Sequence, residues 1–436
     1  MFNLVLFALA GLVIALVGLA LLEVVIRRSD VGAGLALGLV VLQESQLVED
    51  LSLLQQPVSV GPSDVLFVIF LAASVARFLR TGRLSLPQRL LVLFGILVAG
   101  SLIAGVGPFG LPAATNEARK FLVFISAALY FSTVEPAPEL LQRIGRIWLV
   151  TSGVLAGLAL LRWGANTAGI TGWIFGEGTS LRVIPSDAAL IVAQGALIAL
   201  PLLTARTTRG LTQYLAPALL VILVLLQHRT VWLVAAFGLI YLLFRERALT
   251  PRILGAMSAA AIVFGALTLV VFDDQDVAEQ LVDSSQATGT FEWRVAGWQA
   301  LLNQAGPETP LEVAVGMPFG GGWERTFEGW RVDVTPHNFY VESYLRVGAL
   351  GVGALLLVYA IILRGPPRQT RRPRSPASLG ALPHNVLHTI IGMQLLYYIT
   401  YSPDVAQAML VGLGCAAAAG NRQEYDAQPS TSQLVR

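Results

Sequence analysis

Long apolar runs alternate with short polar joints along nearly the whole chain. The runs fall at roughly 3–22, 63–79, 88–106, 118–133, 144–163, 186–204, 211–227, 230–244, 252–272, 342–363, 386–401 and 403–420. Most approach the ~17–25 residues with which a helix crosses hydrocarbon while satisfying its own backbone bonds. The pattern therefore predicts an all-α fold, a polytopic membrane helical bundle of 12 transmembrane helices. The count becomes 13 if the shorter run at 32–43, which leads into "QESQLVED", also spans and does not lie in the interface or re-enter. The first run lacks a basic flank and is long enough to cross, so it reads as a retained helix and not a cleaved signal. The longest polar interval, 273–336, predicts one large extracytoplasmic loop. The expected organisation is a bundle over 1–272, the loop over 273–336, three final spans over 337–420 and a disordered cytoplasmic tail over 421–436. No internal repeat relates the two halves, although such repeats mark many secondary transporters.

Composition strengthens the membrane reading. Of 436 residues, 55% are hydrophobic and 13% charged, and the mean hydropathy is +0.69. An ordinary soluble domain is excluded and no nucleic-acid partner is expected. The lone cysteine, Cys415, rules out an internal disulfide and a cysteine-based metal site. Charge distribution says more than net charge. Arg77, Arg80, Arg83 and Arg89 share one joint, Arg206 and Arg209 a second, and Arg245, Arg247 and Arg252 a third. Arg364, Arg368, Arg371, Arg372 and Arg374 fill a fourth, the Pro-rich linker "RGPPRQTRRPRSP". Counting spans places all four on one side, which the positive-inside rule makes cytoplasmic. Arg27 and Arg28 favour a cytoplasmic first loop and hence 13 spans. The interval 273–336 then faces outward, and its 11 acids against three arginines suit a translocated segment.

That outward interval holds most of the candidate chemistry. "GTFEWRVAGWQALLNQ" reads as an amphipathic helix along the membrane surface, with Phe291, Val295, Trp298 and Leu302 on one face. The glycine-rich "VGMPFGGGWERTFEGW" reads as irregular. Its Trp323 and Trp330 suit either a platform for sugar rings or an interfacial aromatic belt. In "TPHNFYVESYLRVGALG", Thr335 is expected as the N-cap and Pro336 as the first helical residue, with His337 and Asn338 in the first turn. The positive end of the macrodipole disfavours imidazolium there, so His337 would be neutral and suited to general-base chemistry. The same amides can face an anion such as a diphosphate. Glu342 and Arg346 are spaced to pair with each other. "QHRTVWLV" puts His228 and Arg229 in a short outward turn, and Arg294 stands in an acidic loop. Two outward arginines can grip a lipid-linked phosphate, the plainer alternative being snorkelling or local ion pairs. "DDQD", Asp273 to Asp276, is either a translocated flank or a divalent-cation site. His384 and His388 share a face at the start of a span, where an interfacial role is expected.

Three stretches together resemble the O-antigen ligase and O-antigen polymerase superfamily of bacterial envelope proteins. They are "HRTVWLVAAFGLIYLL", "WRVAGWQALL" with the following "VGMPFGGG", and "PHNFYVESYLRVGALGVGALLL", which occur in order across 220–363. One departure is the threonine and valine after Arg229, where the family often has small residues. The resemblance implies a metal-independent, inverting glycosyltransferase of the bacterial inner membrane that needs no cofactor. Its donor would be an undecaprenyl-diphosphate-linked glycan, its acceptor a glycan, lipid or protein hydroxyl, and its site would face the periplasm or cell exterior. Carried onto this chain, His337 would be the base and Arg229 and Arg294 would hold the diphosphate. Arg331 and Arg182 are further candidates for the same pocket, and Asn338 and Glu342 are supports. Ligase and polymerase remain equally open, and a transporter or flippase of lipid-linked sugars is the competing class.

Overall fold

A computed structural model describes residues 18–45, 60–170, 182–204, 214–246, 289–327, 329–364 and 382–426. The expected spans at 252–272 and over most of 3–22, together with "DDQD", lie outside these residues. Beyond a helical stretch at 18–27, the elements are α1 (Ser29–Glu44), α2 (Pro62–Thr81), α3 (Leu86–Phe109), α4 (Leu111–Ser132), α5 (Pro138–Thr167), α6 (Ser186–Thr204), α7 (Leu215–Leu225) and α8 (Arg229–Glu246). They continue with α9 (Gly289–Ala305), α10 (Pro310–Val315), β1 (Glu324–Phe327), β2 (Trp330–Asp333), α11 (Phe339–Leu363), α12 (His384–Tyr397) and α13 (Val405–Asp426). The fold is nearly all-α. Four described helices, α2, α3, α5 and α11, are long and apolar enough to cross a membrane, and α6, α7, α8 and α13 contain shorter apolar stretches.

Local sequence signals set many of the helix ends. Pro62 and Pro87 sit in the first turns of α2 and α3, where a missing N–H costs nothing. Asp64 and Gln88 reach back to the amides of Gly61 and Ser85, each at 2.8 Å. Gly82 closes α2 in the left-handed conformation. The run at 32–43 becomes α1, whose face of Ala33, Ala36, Leu37 and Val40 is buried against α5 and α13.

The centre of the bundle is α4, which packs on α2, α3 and α13 and buries Phe121, Phe124, Tyr130 and Phe131. Its aromatic face receives the start of α11. Phe339 is fully buried between Phe121, Phe124 and Tyr398, with ring centroids 5.3–5.5 Å apart. A chain of buried amides and hydroxyls ties α6, α11, α12 and α13 together. Gln407 Oε1 accepts from Gln194 at 3.0 Å and Gln394 at 2.9 Å, and Tyr359 donates to Gln394 at 2.9 Å. In a lipid-solvated bundle such inter-helical bonds help fix helix register, because hydrophobicity alone does not choose among apolar neighbours.

One expectation about local structure is corrected. The tryptophan-bearing segment is not wholly irregular: Glu324–Phe327 and Trp330–Asp333 pair antiparallel, with Arg325 opposite Val332 and Thr326 opposite Arg331. Helix α9 packs inward through one side and leaves part of its apolar stripe exposed. Gly297 and Leu301 are buried, whereas Phe291 and Leu302 are exposed. Gly297 faces the Arg325 guanidinium, so the helix turns its smallest residue toward a bulky cation.

Candidate active site

The helices have an arginine-rich end and an opposite end, and the candidate residues gather at the latter. At the arginine-rich end, Arg77 donates to the carbonyls of Val25 and Ile26 and to Ser29 Oγ, while Arg143 pairs with Asp30. At the other end lie the α3–α4 junction, the start of α6, the α7–α8 turn, α9, the hairpin, the start of α11 and the α12–α13 turn.

The helix start bearing His337 differs from expectation. Asn338, not Thr335, is the N-cap: its Oδ1 accepts from the amides of Tyr340 at 3.0 Å and Val341 at 3.1 Å. Helix α11 begins at Phe339, because burying that ring and donating its amide to the Tyr398 carbonyl at 2.9 Å fix the chain there. His337 therefore precedes the cap, with a left-handed φ of 49°. Trp298 of α9 holds the adjoining Pro336 carbonyl at 2.5 Å. The residue is exposed in part while its ring is half enclosed, and the imidazole pKa lies below the ordinary histidine value. Packing around the ring is the main cause, followed by the Arg294 guanidinium; Glu342 opposes the shift, and Lys120 and Arg325 add to it. A neutral imidazole is the outcome expected from the sequence, though neighbouring cations and desolvation produce it and not a place inside the first helical turn.

Arg294 reaches this group from α9. Its guanidinium lies 5.2 Å from the Tyr401 ring centre and donates weakly to the Thr400 carbonyl at 3.4 Å, which leaves most of its donor fork available. Arg325, which the sequence did not single out, is buried on β1 and donates to the carbonyls of Trp323 at 3.0 Å and Val334 at 2.9 Å. Arg331 behaves otherwise. It is exposed on β2 and forms an ion pair with Glu324, and it is not among the charges that shift His337. Arg229 opens α8 beside His228, whose Nε2 lies 2.8 Å from the Ile184 carbonyl, and Arg182 is a charged neighbour of that histidine. Tyr397, stacked on Tyr401 and donating to Ser186 at 3.1 Å, bridges from the Arg294 side to the start of α6. The structure thus gathers His337, Arg294 and Arg325 in one group and Arg182, His228 and Arg229 in a second.

Glu342 and Arg346 do not pair with each other as expected. Each takes a partner on α4: Glu342 an ion pair with Lys120, and Arg346 one with Glu117. Ser402 also donates to Glu342 at 2.8 Å. Arg346 further donates to the carbonyls of Pro318 at 3.1 Å and Gly322 at 2.6 Å, and Glu117 accepts from the Gly320 amide at 2.7 Å. The glycine-rich "VGMPFGGG" is thereby laced between α3, α4 and α11. Lys120 is the chain's one lysine, and it stands 5.6 Å from the centre of the buried Trp323 ring. Glu117 and Lys120, one helical turn apart at the outward start of an apolar run, were the available signal in "NEARK".

A cavity of about 350 Å³ opens beside this lattice, and Trp323, Thr335, Lys120 and Asp404 are on its wall. Of the two loop tryptophans only Trp323 reaches it. Trp330 is 76% exposed on the hairpin, a position compatible with an interfacial belt.

No curated protein matches the chain. Residues 215–356 match the family model described as O-antigen ligase. That segment runs from α7 into α11 and includes Arg229, Arg294 and His337. The matched family is described as O-antigen ligase, and the described apolar helices suit a membrane protein. Over this segment, about a third of the chain, the sequence is similar to the O-antigen ligase family.

Proposed function

We propose that the protein is an inner-membrane glycosyltransferase that moves a glycan from an undecaprenyl-diphosphate carrier to an acceptor hydroxyl outside the cytoplasm. The observation that carries this reading is the convergence of a depressed-pKa imidazole, His337, with the Arg294 guanidinium at one end of the bundle. The neutral ring accepts the acceptor hydroxyl's proton as that oxygen attacks the anomeric carbon. The bond from that carbon to the diphosphate oxygen breaks on the opposite face, inverting the configuration, and the diphosphate departs with the electron pair. Arg294, Arg325 and Arg229 offer fixed cationic donors to the charge that grows on the leaving group, the kind of stabilisation most useful near a low-dielectric boundary. Arg182 is a further contributor beside Arg229, and Arg331 is the weakest because it is exposed and already paired. Asn338 fixes the helix start behind His337, and Glu342 tunes its charge. The arginine-rich end is assigned to the cytoplasm by the positive-inside rule, which turns the site outward.

Reconstitution with a defined undecaprenyl-diphosphate oligosaccharide tests this reading. Wild type should transfer in the presence of chelator. His337→Ala should insert normally and lose transfer. Retained turnover in that variant would remove His337 as the base, and loss of wild-type activity on chelation would replace the metal-independent mechanism. Chain growth identifies a polymerase, and a single transfer to a lipid or protein a ligase. Movement of the intact lipid-linked sugar across the bilayer without glycan transfer would identify a flippase.

A further inference from the structure

The charges on the wall of the 350 Å³ cavity are already matched. Arg119 pairs with Asp64 at 2.9 Å, Lys120 with Glu342, and Glu117 with Arg346. A diphosphate entering here would have to break these pairs to find a cation. The polar and aromatic wall groups outside those pairs are ones that recognise an uncharged polyhydroxyl: the Gln43 and Asn116 amides, the Ser63 and Thr335 hydroxyls, the Trp323 ring and the Asp404 carboxyl. Asp404 is the informative one. Its Oδ1 accepts from the Gln407 amide at 2.7 Å, whereas its enclosed Oδ2 has no hydrogen-bond partner among the described residues. An enclosed carboxyl oxygen without a partner is costly unless a ligand supplies a donor.

We propose that this cavity is a saccharide subsite that holds the acceptor's terminal sugar through Asn116, Asp404 and the Trp323 ring and presents its hydroxyl toward His337. The proposal rests on the transfer reading above. Placement favours the acceptor over the donor: Thr335, on the cavity wall, is two residues from His337, while the available guanidiniums of Arg294 and Arg325 lie outside the wall. The volume, at the lower end of the ~300–1,000 Å³ range for small-molecule sites, suits a short saccharide end and not a whole repeat. Burial and the neighbouring Asp187 carboxylate push the Asp404 pKa up to about 7. Near neutrality its carboxyl therefore both donates to and accepts from sugar hydroxyls.

The test is equilibrium binding of the free oligosaccharide cut from the lipid-linked donor to the full-length protein in lipid nanodiscs, without donor present. Wild type and His337→Ala should bind it equally. Asn116→Leu should weaken binding about tenfold, the worth of one well-made hydrogen bond in a closed site. Asp404→Asn, which keeps an acceptor for Gln407, should weaken it and remove the change in affinity near pH 7. In transfer assays both variants should raise the acceptor KM while leaving the donor KM unchanged. Unchanged affinity in both variants, no saccharide binding by wild type, or displacement by inorganic diphosphate alone would overturn the subsite. Saccharide binding through Asn116 and Asp404 without any transfer would instead sink the transfer reading and leave the subsite standing.

Discussion

Beyond the packing around its ring, His337 feels four charged side chains on four described elements: Arg294 on α9, Glu342 on α11, Lys120 on α4 and Arg325 on β1. The three cations depress its pKa and the carboxylate raises it, so the sign of each contribution can be tested. The neutral ring is the competent form, and transfer should fall on the acid side as the ring protonates, at a pH below the ordinary ~6.5 of histidine. Glu342→Gln removes a carboxylate that stabilises the imidazolium, so the acid limb of kcat/KM should move to lower pH. Lys120→Met should move it upward. Equal limbs in both variants and wild type would mean that the titrating base is another group. Arg229 and Arg294 were legible as residues because each is a cation against the local trend, and His337 because it stands at a helix start. The pairs Glu342–Lys120 and Arg346–Glu117 were not: their partners lie more than 200 residues apart in sequence. Only the apposition of α4 and α11 reveals them, whereas the i,i+4 spacing offered a nearer and mistaken partner.

At the scale of elements, α11 is a helix broken at a chosen point. Gly348 has a φ of 65° inside it, and an added Cβ would run into the backbone of Ala314 and Gly316. The break frees the Leu345 carbonyl from its usual partner four residues on, and the Met317 amide takes it at 2.7 Å. The neighbouring Gly105 on α3 likewise admits the Phe319 backbone, whose amide bonds the Ser101 carbonyl at 3.2 Å. Gly348→Ala should therefore destabilise the protein by at least ~1–3 kcal/mol, measurable as an earlier thermal transition in detergent. The Arg346–Glu117 pair at the same junction is buried, with side chains 5% and 8% exposed. Losing one member should cost about 3–5 kcal/mol, whereas replacing both by apolar residues should cost less. Equal stability of Glu117→Gln and wild type would show that the pair is not needed for this junction. Apolar periodicity located the helices well, because lipid imposes length and composition directly. It could not locate the break, the Asn338 cap or the hairpin, which answer to neighbours distant in sequence.

For the molecule as a whole, the position of α1 bears on topology. Residues next to its start are held by Arg77 at the arginine-rich end, while Gln43 near its close lines the cavity at the other. The 16-residue helix thus runs from one end to the other, at about 24 Å by its rise per residue. The 13-span count that Arg27 and Arg28 favoured requires such a path. In a Cys415→Ala background, single cysteines at positions 28 and 43 should react with impermeant reagents from opposite sides of the membrane. Reaction of both from one side would demote α1 to an interfacial helix. The even spacing of apolar runs made the bundle legible, but a run of this length left its path ambiguous until its ends acquired partners.

Lys120 offers one more use. Because the chain's single side-chain amine lies at the heart of the candidate site, reductive methylation with labelled formaldehyde would install one isotopic reporter there, apart from the amino terminus. Its carbon resonance would sense Glu342, Trp323 and whatever enters the cavity. A chain otherwise hard to watch by spectroscopy, crowded with apolar side chains, carries its own address for a one-signal assay of occupancy.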